Sequence, residues 1–274
     1  LNSISNFETS ENETCRFFRL FSQKDNRGSI VDIDPFGSPT KYFDCSIRAT
    51  MHGGLLSVTA TDMQVLHGLA KNACKRKYYG VPIKTEYSNE IAIRLILGCL
   101  YAVSGRLGIQ IIPQFVQTHM HYYRIFVKVL TKKDQNQNLG YVSHCFECGN
   151  RIIEKKSSSN CDKCNGELNS AGPLWIGQLF DKKFVNNMLN EIPKFIVDKK
   201  CVGILEKSVS EAEMPATYYT LDKIASKIKG APVKMKNTIK ILQDAGYFAS
   251  PTSLNPTGFR TNCTIDEIVK LFEN

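Results

Sequence analysis

The stretch Ser29–Pro39, SIVDIDPFGSP, constrains this chain more than any other. Ile30, Val31 and Ile33 supply the β-branched bulk of a buried strand. Asp32 and Asp34 interrupt that bulk at a spacing of two, so both carboxylates project from one side. Pro35 then fixes φ and withholds an N–H, and Gly37 and Pro39 stop the strand. A carboxylate at the carboxyl end of a parallel strand, followed by an aromatic on a rigid turn, sits where open α/β sheets bind ligands. Asp34 offers acceptor oxygens, the carbonyls beside Pro35 offer another, and Phe36 offers a flat face for stacking. Acceptors clustered under a ring suit the exocyclic amine of a nucleobase. The plainer reading is an Asp that caps the next helix and a Phe that joins the core. On these residues alone it carries equal weight.

The rest of the chain narrows the class. Its 274 residues make one large or two ordinary domains. The net charge of +9 favours a polyanionic partner, although surplus lysine is common in other proteins too. No run of about 18 apolar residues exists to span a membrane, and no signal-peptide pattern opens the chain. Four of the ten cysteines form two CxxC pairs. Cys15, Cys45, Cys74, Cys99, Cys201 and Cys263 are scattered, which reads as reduced intracellular thiols beside a metal site and not as a disulfide framework.

Along the chain, Ser38 to Met51 has helical spacing, stopped by Gly53–Gly54. Leu55–Ala60 is a continuous apolar run, the mark of a strand covered on both faces, and ends at Thr61–Asp62. Lys71–Tyr79 is the densest basic patch. Arg76 and Lys77 there are candidates for phosphate contact, with a solvated loop as the equal alternative. Asn89–Leu107 reads as a buried helix, apolar nearly all round, with Glu90 and Arg94 paired four apart for structure. Ile109–Pro113 and Tyr122–Thr131 read as strands. Strand–helix units of this kind imply an α/β fold with a mostly parallel sheet.

Lys132–Asn138 is a polar linker and a domain boundary. Beyond it, Cys145, Cys148, Cys161 and Cys164 stand in two close pairs, each on a tight turn with Gly149 or Gly166 just after. That set gives tetrahedral thiolate coordination of zinc, closed and therefore structural. A redox dithiol would need one pair only, and His144 finds no vacancy beside four thiolates. The tail holds helices at 221–229 and 234–245, a strand-like Tyr247–Ser250, a Pro/Gly-rich loop through Arg260 and a capping box at Thr264–Glu267. Two helices followed by a hairpin suggest a winged-helix-like module with Lys234, Lys236 and Lys240 outward, or a generic packing unit.

Taken together, VDIDPFGSP, GGLLSVTATD, KRKYYG, NEIAIRLIL, HYYRIFVKV, the CxxC pairs, GPLWIG and NPTGFRT resemble the tRNA (guanine-26 N2)-dimethyltransferases. The match runs in order over about residues 12–262, with Asn89 where the family usually carries histidine. The resemblance implies a Rossmann-like class I methyltransferase domain that uses S-adenosylmethionine, represented here by the C-terminal half of its sheet. The glycine-bearing cofactor loop and the ribose acid are not in this sequence, so a preceding segment is expected to complete the sheet. It divides the chain into a partial methyltransferase domain at 1–134 and a smaller α+β domain at 135–274, with zinc at 140–170 and the winged-helix-like part at 215–274. Asp34, Pro35 and Phe36 are then catalytic, Glu13 and Thr14 meet the adenine of the cofactor, and Arg76, Lys77 and Arg260 contact tRNA. Neither DNA nor a membrane is expected as a partner. Three rivals remain open at this point: a tRNA-binding module without activity, a zinc-ribbon and winged-helix DNA binder, and an amino-methyltransferase for DNA adenine or a protein amide.

Overall fold

The computed structural model describes residues 7–131 and 138–273; the linker expected at Lys132–Asn138 lies outside them except for its last residue. After the short helix α1 (Thr14–Leu20), the expected strand forms as β1 (Gly28–Ile33). Val31 and Ile33 are buried, while Asp32 and Asp34 are exposed, as the alternation requires. A turn leads to α2 (Phe43–Ala49), and β2 (Thr50–Ala60) returns parallel to β1. The helix thus ends before Thr50, and Gly53–Gly54 lie inside a strand and do not terminate a helix. The pair serves a close crossing: Gly53 has φ +79°, and a Cβ on Gly54 would lie 2.9 Å from the Ser29 carbonyl oxygen.

Two short helices, α3 (Met63–Leu66) and α4 (Lys71–Tyr78), precede α5 (Ser88–Arg106). The basic patch is therefore helical. Cys74 and Tyr78, four apart, face the core and leave Lys75, Arg76 and Lys77 outside. A hairpin of β3 (Ile109–His119) and β4 (Tyr122–Thr131) completes the first sheet, in the order β1-β2-β4-β3. The mostly parallel sheet expected from sequence is corrected here. Only the β1–β2 ladder is parallel; β4 is antiparallel to both β2 and β3. Met120 and His121 alone join β3 to β4, and so short a connection can only reverse the chain.

The second sheet has the order β6-β5-β7, from β5 (Leu139–Cys145), β6 (Arg151–Glu154) and β7 (Leu168–Trp175). Helices α6 (Lys182–Glu191) and α7 (Lys199–Glu211) follow. The tail comprises β8 (Tyr219–Thr220), α8 (Leu221–Ile228), α9 (Met235–Asp244), β9 (Ala249–Pro251), β10 (Gly258–Thr261) and α10 (Ile265–Glu273). Arg260, read from sequence as part of a loop, is thus in a strand. At the start of α10 the Thr264 N–H donates to Glu267 at 2.7 Å, as the capping box implied.

One buried cluster runs from Val31 and Ile33 through Ile91 and Leu95 to Val142, Leu174 and Trp175. The first two sheets therefore share a core, while the tail packs its own around Ile224, Leu242, Phe259 and Ile268. Gly98 allows α5 to meet β7 directly: a Cβ there would lie 2.9 Å from the Leu174 Cα. Each fully buried aliphatic side chain in this seam contributes roughly 1.5–3 kcal/mol. Among the described residues, no helix is long and apolar enough to cross a membrane. One expectation about thiols is corrected. Cys15 and Cys45 form a disulfide, because α1 packs on α2 and brings their Cα atoms to 5.5 Å.

Candidate functional site

Asp34 stands just past the carboxyl end of β1, exposed, with no hydrogen-bond partner among the described residues. Its turn is braced from the neighbouring strand. The Gly37 N–H donates to Thr61 Oγ1 at 2.7 Å, and the Thr61 N–H donates to the Gly37 carbonyl at 3.0 Å. Gly37 adopts φ +80°, which a side chain would resist, so the DPFG bend is fixed by its own sequence. The consequence is that Phe36 projects wholly into solvent, 104% exposed, while Pro35 is half-buried beneath it. The plainer reading of this turn fails, since Asp34 caps no helix and Phe36 joins no core. An apolar ring held in water beside an unpaired carboxylate is a platform for a flat, amine-bearing ligand. Asp32, on the same side of β1, is instead paired with Arg124 of β4.

At the end of β2, Asp62 accepts from Tyr78 Oη at 2.6 Å and from Lys77 Nζ at 3.3 Å. Lys77 is thus partly spent on Asp62, and Arg76 remains an exposed cation on α4. Glu13 lies at the start of α1, where its carboxylate accepts from the Arg16 N–H at 2.9 Å. The backbone N–H groups of Cys15 and Arg16 hold its pKa below the ordinary carboxylate value. Thr14 is the first residue of that helix.

Arg260 departs from its expected role. It is 3% exposed and cannot reach a phosphate. Its guanidinium pairs with Glu211 of α7 and, at 3.0 Å, with Glu90 of α5. Arg94, four residues along α5, donates to Glu90 at 2.8 Å and to the Trp175 and Gly177 carbonyls at 2.9 and 2.8 Å. This four-charge cluster ties the tail to α5 and β7. Sequence reasoning found only its Glu90–Arg94 half. Burial works against the Glu90 charge, but Arg260 and then Arg94 overcome it and hold the carboxyl at about 2. With a folded pKa below the unfolded value, Glu90 contributes stability above about pH 4.5 and loses it as pH falls toward 2. Replacing Arg260 by methionine is expected to cost about 3–5 kcal/mol, because it leaves the buried Glu90 and Glu211 side chains without their shared partner. Urea titrations across pH would show a lower midpoint and an acid loss that begins at higher pH.

The four expected cysteines converge. The Sγ atoms of Cys145, Cys148, Cys161 and Cys164 all lie within 4.8 Å of one another. Zinc with sulfur ligands at about 2.3 Å requires sulfur atoms at such separations. Two matching turns present them. The Gly149 N–H donates to the Cys145 carbonyl, and the Asn165 N–H to the Cys161 carbonyl, each at 2.9 Å. Gly149 and Asn165 both have positive φ, at 86° and 59°. The donor set therefore fits zinc. His144 is turned away from the cluster, its Nδ1 bonded to Tyr87 Oη at 2.9 Å.

The fold and these two centres are those of an α/β protein with an exposed, carboxylate-bearing turn at a strand's carboxyl end and a four-cysteine cluster that fits a metal ion. Residues 1–273 match the model of the N2,N2-dimethylguanosine tRNA methyltransferase family, and the chain belongs to that family. It is 33% identical to the tRNA (guanine(26)-N(2))-dimethyltransferase of Methanosphaera stadtmanae, over 99% of this chain and 71% of that one. Its counterpart in Methanobrevibacter smithii is 30% identical, over 100% and 72%. Among solved structures, Trm1 from Pyrococcus horikoshii in complex with S-adenosyl-L-methionine superposes with a TM-score of 0.79. That likeness is 28% identical and covers 93% of this chain and 68% of the other.

Proposed function

We propose that this protein transfers methyl groups from S-adenosylmethionine to the exocyclic N2 of a guanosine in tRNA, at position 26, giving N2,N2-dimethylguanosine. The observation that carries the reading is the unpaired, exposed Asp34 beside the free ring of Phe36, within a chain matched along its length by that family. Bound S-adenosylmethionine supplies an electrophilic methyl group. The residues present fit the side of the reaction that faces it. Asp34, Pro35 and Phe36 hold the acceptor base. Glu13 and Thr14 are assigned to the adenine of the donor by resemblance, with the Glu13 carboxylate already directed onto its own helix.

Guanine presents two adjacent donors, the ring N–H and the amine. An ionised Asp34 accepts from both, which raises electron density on an otherwise delocalised nitrogen, aims it, and gives the amine proton lost in each transfer a carboxylate to go to. The Pro35 carbonyl, which accepts no backbone hydrogen bond among the described residues, takes the other amine hydrogen. Phe36 stacks on the ring once the base has left the helix. Adenine places an acceptor beside its amine and would repel the second carboxylate oxygen. The monomethyl product keeps one amine N–H for Asp34 and can react again, whereas the dimethyl product keeps none and is released.

The zinc cluster, with four protein ligands and no open position, is structural in this reading. The tail helices α8 and α9 with the β9–β10 hairpin form a winged-helix-like module, supported by their order and separate core. Arg76 is the preferred phosphate contact, since Lys77 already faces Asp62. Incubation with tRNA transcripts and labelled donor, followed by nucleoside mass spectrometry, tests the function. The expected product is N2,N2-dimethylguanosine, and a transcript with adenosine at the target should yield none. Methyl label in another nucleoside alone would refute the reading.

A further inference from the structure

A cavity of about 400 Å³ lies on the same end of the first sheet as Asp34 and is not used by the chemistry above. β3 runs parallel to β2, because both are antiparallel to β4, so Thr118 and Ala60 sit side by side across Tyr123. The cavity opens there, between Met63 and His67 after β2, Met120 at the hairpin, Asn89 on α5, and Leu254 and Pro256 from the tail. Three strand spacings separate β1 from β3, roughly 14 Å.

No Asp, Glu, Lys or Arg lines this cavity. With only His67 and His119 as titratable walls, a phosphate or a carboxylate would find no lysine or arginine, and the lining favours an uncharged group. The walls nevertheless carry hydrogen-bonding groups in a defined state. Asn89 Nδ2 donates to the Leu254 carbonyl at 3.1 Å, which leaves Oδ1 to accept from Tyr123 Oη at 2.9 Å. Tyr123 Oη therefore receives the proton of His67 Nε2, its other partner. Burial lowers the His67 pKa, against a smaller opposing effect of Asn89. With Nε2 as the donor, Nδ1 is the ring's acceptor nitrogen and makes no hydrogen bond among the described residues.

We propose that this cavity is a second RNA subsite, which takes the nucleobase adjacent to the methylated guanosine. Two methionines give polarisable walls for a flat ring, and His67 Nδ1 accepts from a ring or exocyclic N–H. Because the Ser253–Pro256 loop belongs to the tail, the subsite makes the tail part of target choice. The proposal rests on the function given above and adds where the strand runs beyond Asp34.

Equilibrium binding tests it, with tRNA transcripts that are intact or abasic at either neighbour of the target. Against the unmodified protein, one of the two abasic positions is expected to weaken binding about tenfold, the effect of one stacked base. Met63→Trp fills the cavity, and Met120→Asp changes a side chain that is 77% exposed and so does not endanger folding. Both variants should bind intact tRNA about tenfold more weakly and show no further loss with the abasic RNA. If neither abasic position matters to the unmodified protein, the proposal is wrong. It is equally wrong if the abasic loss persists undiminished in Met120→Asp. Binding is read and not transfer, so an Asp34→Ala protein that still shows the abasic loss separates this site from the chemistry.

Discussion

Removing the metal from the cluster of Cys145, Cys148, Cys161 and Cys164 is expected to lower Tm by more than about 10 °C. Structural zinc in small domains contributes about 10–16 kcal/mol of binding free energy at neutral pH. In a chain of this size, each kcal/mol lost moves Tm by roughly 2–4 °C. The effect should not stay local. Cys145 ends β5, β5 pairs with β7, and β7 meets α5 through Gly98. Arg94 on α5 also holds the Trp175 and Gly177 carbonyls that follow β7. Scanning calorimetry of the protein with and without a strong chelator, together with metal analysis, checks this. One zinc per chain is expected, and Cys161→Ser, at a buried ligand, should resemble the chelated protein. Equal melting of the metal-free form would show that the cluster does not support the fold.

Asp34→Ala is expected to reduce the methyl-transfer rate at least about 10³-fold. Removing a single preorganised group that stabilises developing charge costs about 10²–10³-fold in well-studied enzymes. Here the same carboxylate also aims the nucleophile, and alignment supplies a further large share of a barrier. Binding of tRNA should change little, because phosphate contacts dominate affinity for a polyanion and Asp34 makes none. Nor should the fold suffer. Asp34 is exposed and holds up nothing around it, while the turn is fixed by Pro35, Gly37 and Thr61.

Much of this site is legible in the sequence, and the parts that are not share a physical cause. The alternation Val31-Asp32-Ile33-Asp34 and the breakers Pro35 and Gly37 act within a few residues, so the strand and the turn could be read directly, while the same residues left an open and a helix-capping Asp34 equally weighted. The cysteine pairs carry their own turn chemistry, and the burial of α5 follows from its apolar surface. Arg260 could not be read, because the acids that bury it, Glu211 and Glu90, lie 49 and 170 residues away. A lone arginine after Pro256 and Gly258 looks the same whether it meets solvent or an ion pair. The β3–β4 reversal was hidden for a different reason. Met120–His121 carries none of the Asn-Gly or Gly signals that mark a two-residue turn. Gly53–Gly54 misled in the opposite sense, since a glycine needed for close strand contact looks like one that ends a helix. The cavity by His67 draws on α3, α5, the β3–β4 hairpin and the tail, and no local pattern announces such a convergence.

The most direct test is a rapid-quench measurement of a single methyl transfer to tRNA, at saturating donor and saturating protein, for the unmodified and Asp34→Ala forms. A fall of three orders of magnitude in that first-order rate, with tRNA dissociation constants within a few-fold, is the predicted result. A rate within tenfold of the unmodified protein would contradict the assignment of the amine grip to Asp34.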